Sequence, residues 1–432
     1  MRKNLVCLLL IITGIYACKK ETDPVFDKSP DERINDTLRH YQEVLTSATY
    51  GWKGLVYPAG VPGSVFGFYF HFTASNRVEM FSDFEAGSTS TVHESSWRLK
   101  ALQQPSLLFD TYSYLHVLCD PDAAHNGGSY GQGLGSDFEF AINGLHGDTL
   151  LLTGRFHGSK AVLIRATQPE QDAYYQHHIN RAIDSVSLIL TYFRQMNIGA
   201  NKYDVSINKD LHQITFTWIV NGKVKQVTTG YYYTSNGIAL SPAFNDSTTI
   251  ISSFENVKWD GSAITGSING SNAGITETAR PVAVDGSAPK RWYQHVADQG
   301  SYWASYYGFH VNGVDDAYHI IGLPAYVGVT YWPNINGPGS FDLLGFVLRQ
   351  GSERPSVTYG PGYDAPTFTT DGRIIFNDNG LYGSLPANIQ PVLKTRAAMA
   401  DPQGFFLVQK SSTTYDMVSA SDGKSWINWS GN

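Results

Sequence analysis

Between Phe66 and Phe72 every second residue is phenylalanine, with Gly67, Tyr69 and His71 in between. A helix would scatter those four rings around its axis, whereas a strand sets them on one face, because successive side chains point to opposite sides. Such a face is stable only when it is covered, so the chain must build a sheet with a buried side. Signals for antiparallel pairing recur downstream: Asn221-Gly222, Asn236-Gly237 and Asp260-Gly261 favour the primed turns that match strand twist. The aromatic share of 13%, with 42 Gly beside it, fits short strands joined by tight turns. The expected class is α+β, mostly antiparallel β.

The chain divides on these patterns into helix-plus-meander units followed by an aromatic-rich β region. In residues 29–168, Ser29-Pro30-Asp31-Glu32 is a capping box. Ile34, Leu38, Tyr41, Leu45 and Ala48 then predict a helix ending at Gly51. Strands are expected near 66–73, 77–81, 96–99, 106–110, 112–118, 137–142, 149–153 and 161–165. Residues 169–285 begin again with a cap, Thr167-Gln168-Pro169-Glu170. Ile179, Ile183, Val186, Leu190, Phe193 and Met196 predict a second helix that stops before Gly199. Strands are expected at 203–208, 211–220, 223–234 and 250–259, and the stretch 266–290, rich in Gly, Ser and Ala, reads as a separator. Residues 286–432 predict strands at 306–311, 317–321, 341–348, 373–376, 405–409 and 415–420, with a short helix near 389–398. Ser136-Asp137-Phe138-Glu139 leading to Gly154, and Ser252-Ser253-Phe254-Glu255 leading to Gly266, leave two readings open, a duplication or convergent meander patterning.

Residues 1–17 read as a secretory leader: Arg2 and Lys3, an apolar run to Ile12, then Gly14-Ile15-Tyr16-Ala17 before Cys18. The Ala17-Cys18 junction resembles a bacterial lipobox, in which the cysteine is acylated with palmitate-type chains and becomes the first residue. Several chains, each CH₂ contributing ~0.8 kcal/mol on burial, would anchor the protein to a membrane. Residues 18–28 form the tether, and its acidic residues Glu21 and Asp23 resemble a surface-export signal of Bacteroidetes lipoproteins. Outer membrane, lipid-anchored and facing the cell surface, is the expected address. With Cys7 in the leader and Cys18 acylated, only Cys119 remains, which excludes a disulfide framework and a cysteine zinc site. Cys119 ends an apolar run read as a strand. Without Arg2 and Lys3, 29 basic residues face 38 acidic ones, a formal −9, so nucleic acid is not an expected partner.

Motifs for chemistry mostly fail on context. Gly127-Gly128-Ser129-Tyr130-Gly131 has the letters of a nucleophile elbow but no helical period after it, and Gly131 to Gly135 lacks the strand and helix of a dinucleotide loop. Trp97 stands where a zinc-protease motif starting at His93-Glu94 needs its second histidine. Asp120, Asp122 and Asn126 lack the spacing of a calcium loop. No cofactor motif is found. His310 and His319 would face each other across a hairpin if 313–316 were its loop, close enough to share a metal with Asp315 or Asp316. Trp303, Tyr306, Tyr307, Tyr331 and Trp332, set among Gly, Pro and Asn, form a candidate ligand platform; the competing reading places them in a β core.

Phe26-Asp27-Lys28-Ser29-Pro30, Arg33, Tyr41, Leu45, Ala48, Gly51-Trp52, Ser96-Trp97-Arg98-Leu99 and Pro105 to Asp110 resemble the domain of unknown function 4302 family of Bacteroidetes lipoproteins. The resemblance implies a lipoprotein of this size that accompanies outer-membrane nutrient importers of the starch-utilisation type. It implies no known activity and carries over no catalytic residue; only Cys18 maps with a role. The expected function is a non-catalytic binding lipoprotein that captures or presents a nutrient, such as a glycan, beside an importer. The alternatives are a structural accessory binding protein partners of the importer complex and, third, a hydrolase, which would need paired carboxylates or a Ser/His pair in one pocket.

Overall fold

The computed structural model of the protein describes residues 28–349 and 351–431, so the expected leader and the Cys18 anchor lie outside the described residues. Helix α1 (Pro30–Thr46) comes first. Ser29 Oγ accepts the Glu32 amide at 3.2 Å, and the Glu32 carboxylate accepts the Ser29 amide at 2.9 Å. Two end amides of the helix are thereby satisfied. Its apolar stripe delivers Val44, Leu45 and Ala48 to the core of the strands that follow.

Those strands are β1 (Trp52–Tyr57), β2 (Phe66–Phe72), β3 (Arg77–Ser82), β4 (His93–Ala101), β5 (Pro105–Phe109), β6 (Glu139–His146), β7 (Thr149–Gly154) and β8 (Lys160–Arg165). Each pairs antiparallel with the next, and β1 pairs with β8 from Trp52↔Arg165 to Tyr57↔Lys160, closing a barrel. Phe66, Phe68, Phe70 and Phe72 fill it together with Trp97 and Phe109, all at 2% exposure or less. The expected strand at 112–118 is instead helix α2 (Tyr114–Cys119), followed by α3 (Ala123–Asn126) in the long β5–β6 connection. Leu115 and Leu118, one helical turn apart, both reach the barrel core, which a strand would have allowed for only one of them. Cys119 is half-buried, and burial pushes its thiol up to about 12.

Helix α4 (Gln168–Tyr175) carries the second capping box but stops long before Met196. A 3₁₀ segment (Ala182–Leu188) follows, and Phe193 already lies in a strand. The sequence signal was misleading because Ile183 and Val186 do share a face, but as a single plug at a barrel end. Ser185, Ser187 and Thr191 then favour leaving the helix. The second barrel comprises β9 (Phe193–Ile198), β10 (Asn201–Asn208), β11 (Gln213–Val220), β12 (Lys223–Thr234), β13 (Gly237–Asn245), β14 (Ile250–Trp259), β15 (Ile264–Ile268) and β16 (Ser271–Thr278). It closes through β16 and β9. The first part of the expected separator, to Thr278, is thus the β15–β16 hairpin, turned at Asn269-Gly270 with φ of 51° and 75°, and only the residues after it run between the barrels.

Helix α5 (Ala288–Ala297) opens the third region and plugs it with Trp292 and Val296. The strands are β17 (Trp303–Ser305), β18 (His310–Val311), β19 (Tyr326–Trp332), β20 (Asp342–Leu348), β21 (Ser356–Phe368), β22 (Arg373–Gly383), β23 (Phe405–Gln409), β24 (Thr414–Ser419) and β25 (Ser425–Gly431), with α6 (Gln390–Met399) before β23. β17 and β18 both pair with β25, at Trp303↔Gly431 and His310↔Trp426, so together they act as one interrupted first strand that closes the sheet. The stretch expected as a strand at 317–321 is a turn, because Asn312, Asp316 and His319 all take positive φ.

Candidate binding cleft

The barrel interiors are packed with side chains, so a ligand has to be met on their outer surfaces or between them. On the third barrel an open cleft of about 740 Å³ lies between the end of α5 and the loop after β19. Tyr293, Gln294 and Asp298 line it from the helix side, Trp332 and Asn334 from the loop, and Phe368 from the end of β21.

A single buried carboxylate organises this site. Asp342, with no exposed surface, accepts from Tyr331 Oη at 2.5 Å, from the Asn334 amide at 2.8 Å and from Tyr293 Oη at 3.2 Å. Burial raises its pKa, and those three donors pull it back. The loop is further tied by Gly337 N to Asn334 O at 2.8 Å and Ile335 N to Phe341 O at 3.1 Å. Trp332, half-buried, leans on Tyr302 with ring centroids 4.8 Å apart. Tyr293 meets Phe368 edge to face at 5.8 Å. Among the described residues no lysine, arginine or histidine lines the cleft, and Asp298 is its one lining carboxylate. Flat apolar faces beside amide groups, held by a rigid loop, suit a ligand with apolar ring faces and hydroxyl edges.

The five aromatic residues of the expected platform do not act together. Trp303 and Tyr331 are fully buried, paired across β17 and β19 and packed against Trp292, so they are core and present no face to a ligand. Strand alternation then turns Trp332 outward into the cleft. Tyr306 and Tyr307 are 56% and 69% exposed but do not line it. His310 and His319 do not share a hairpin. His310 pairs with Trp426, stacks on its ring at 3.7 Å and contacts Asp315 at 2.6 Å, while His319 follows a turn of its own. Among the described residues no group of three His, Cys, Asp or Glu could hold a metal ion. Tyr293 and Gln294 lie on α5, for which Pro289 at the first turn is the available sequence signal, whereas Phe368 lies at the end of β21, outside the expected strands.

Fold and cleft define a mostly antiparallel β protein whose tandem sheets close on themselves, with an aromatic-lined cleft on the third. Residues 22–261, more than half of the chain, match the family described as a domain of unknown function, DUF4302, and the protein belongs to that family. No curated protein matches the chain. The cleft lies beyond the matched segment.

Proposed function

We propose that the protein is a non-catalytic, lipid-anchored binding lipoprotein of the outer membrane that captures or presents a nutrient, a glycan first of all, beside a starch-utilisation-type importer. The observation that carries this is the cleft itself: the rings of Trp332, Tyr293 and Phe368 and the amides of Gln294 and Asn334 line it, and Asp342 fixes the loop that carries Trp332 and Asn334. The lipobox-like Ala17-Cys18 and the acidic tether support the address, since a lipid anchor would confine the site to the plane of a membrane importer. The recurrence of a plugging segment followed by a closed meander supports the duplication reading of the chain.

The test is affinity electrophoresis of the chain from residue 28 onward through gels containing plant, host and microbial polysaccharides. Retardation by one polymer is expected, and Trp332→Ala should weaken it roughly tenfold or more, because the main stacking face is lost. Tyr306→Ala and Tyr307→Ala should bind normally. The reverse pattern would place the site elsewhere.

The accessory reading, with protein partners of the importer complex as ligands, is favoured by one feature. Ile219, Val220 and Val224 are exposed at the tip of the β11–β12 hairpin. Crosslinking in cells from that tip, with no glycan retarding the protein, would favour it.

A further inference from the structure

Where the third barrel docks on the second, a crevice of about 410 Å³ remains between them. Phe193, Val205 and Val224 wall it from the second barrel, Phe406 and Trp426 from the third, and Val284 from the connecting segment. Five charged side chains also reach it, and they are not equally committed. Asp204 takes the Val282 and Ala283 amides at 2.9 and 2.8 Å. Asp285 is held by Arg291 at 2.7 Å. Asp416 accepts from Tyr192 Oη at 2.5 Å and from the Asn428 amide group.

The two cations are less fully engaged. Arg194 donates from Nη2 to the Ile189 carbonyl at 3.0 Å, but its buried Nε has no partner among the described residues. Its cross-strand neighbour Glu277 pairs with Lys424 at 3.1 Å instead. Burial presses the Arg194 pKa below the ordinary guanidinium value, with only the nearby Tyr192 hydroxyl acting the other way. Lys410, more than half exposed, stands 4.0 Å from Asp416. A buried donor without an acceptor is costly, and a charged one more so. Arg194 is therefore the least satisfied charged group of the crevice, set among apolar and aromatic walls.

We propose that this crevice is a second ligand site, taking a small organic acid whose carboxylate meets Arg194 and whose hydrocarbon or aromatic body lies against Phe406 and Trp426. It is distinct from the Trp332 cleft, whose lining among the described residues holds no cation. Both barrels contribute walls, so an acid bound here also bridges the second barrel to the third.

Calorimetric titration of the full chain, produced without acylation as Cys18→Ser, with benzoate, phenylacetate, 3-phenylpropionate and hexanoate tests this. At least one acid is expected to bind with a Kd below about 1 mM. The corresponding alcohol should bind roughly tenfold or more weakly, as should the acid to Arg194→Gln, because a charge-assisted hydrogen bond is lost. Arg194→Gln could also disturb the docking of the barrels. Val224→Phe, which narrows the crevice from an exposed hairpin without touching Arg194, should therefore weaken binding with the melting temperature unchanged. Trp332→Ala should bind the acid normally, so failure here and failure of the glycan reading are separable. No binding by any of the four acids, equal binding of acid and alcohol, or undiminished binding by Arg194→Gln would each overturn the proposal.

Discussion

Asp83 and His212 have no exposed surface where the first barrel meets the second, and their titrations pull stability in opposite directions. Asp83 joins the barrels by accepting the Gly67 amide at 2.8 Å and the Tyr233 amide at 3.0 Å. Arg181 donates to its backbone carbonyl, lies over the Tyr233 ring and pairs with Asp184. His212 stands 3.5 Å away, between the Phe66 and Tyr231 rings. Burial pushes the Asp83 carboxyl up to about 7, against the two amides and Arg181, while burial and then the Arg181 charge push His212 down to about 3. The raised Asp83 pKa contributes stability that is full below its ordinary 3.8 and is lost as pH rises through about 7. Neutral His212 contributes stability present above 6.5 that is lost as pH falls toward about 3. Between about pH 4 and 6.5 each group shifts the folding equilibrium by up to about tenfold per pH unit, with opposite sign, and the two cancel. Asp83→Asn should therefore make the protein lose stability on acidification across that window, and His212→Phe should make it gain. Urea midpoints measured through the window check this; if both variants keep the parent's profile, the opposed pair is not there.

At the scale of the element, the β7–β8 turn shows how one side chain organises a connection. Asp137, on the approach to β6, accepts the amides of Phe156, His157 and Ser159 and the Ser159 hydroxyl, at 2.6–3.1 Å. Gly154 is required beside it, since a Cβ there would stand 1.9 Å from Asp137 Oδ2. Asp137→Ala leaves those donors unmet and should cost about 2–4 kcal/mol in urea unfolding. Gly154→Ala should act in the same direction by displacing the carboxylate. Faster hydrogen exchange at Phe156, His157 and Ser159 is the local signature, and unchanged protection there in Asp137→Ala would remove this account of the turn. Elements specified locally were the legible ones: the Asn221-Gly222 turn, both capping boxes and the Phe66–Phe72 alternation need only neighbouring residues. The β9 strand was not legible, since Phe193 and Met196 continue a helical spacing by chance and only their places in the barrel assign them. Asn269-Gly270 was a readable turn, hidden by small residues around it. In the cleft, Trp332 was readable as a candidate, but which of Tyr331 and Trp332 points inward depends on pairing with Trp303, which no local pattern supplies.

At the scale of the whole molecule, closure governs what can be removed. The family match ends at residue 261, after β14 but before β15 and β16. Those two strands carry Ile264, Ile268 and Ile275, all fully buried, and β16 supplies the ladder that seals the second barrel onto β9 from Ala273↔Ile198 to Thr278↔Phe193. A chain of residues 28–261 would therefore open two strand edges and expose the aliphatic interior between them, the arrangement most prone to edge-to-edge association. A chain of residues 28–285 keeps the closed ring and retains the Val282 and Ala283 amides that Asp204 accepts. It exposes only the docking face around Phe193, which Phe406 and Val418 cover in the full chain. The expected outcome in size-exclusion chromatography and hydrogen exchange is a monodisperse 28–285 with protected β9–β16 amides. Residues 28–261 should aggregate or lose protection throughout the second barrel, while β1–β8, whose ring closes within itself, stays protected. Equal protection of the second barrel in both chains would mean that six strands suffice and that closure does not hold it together.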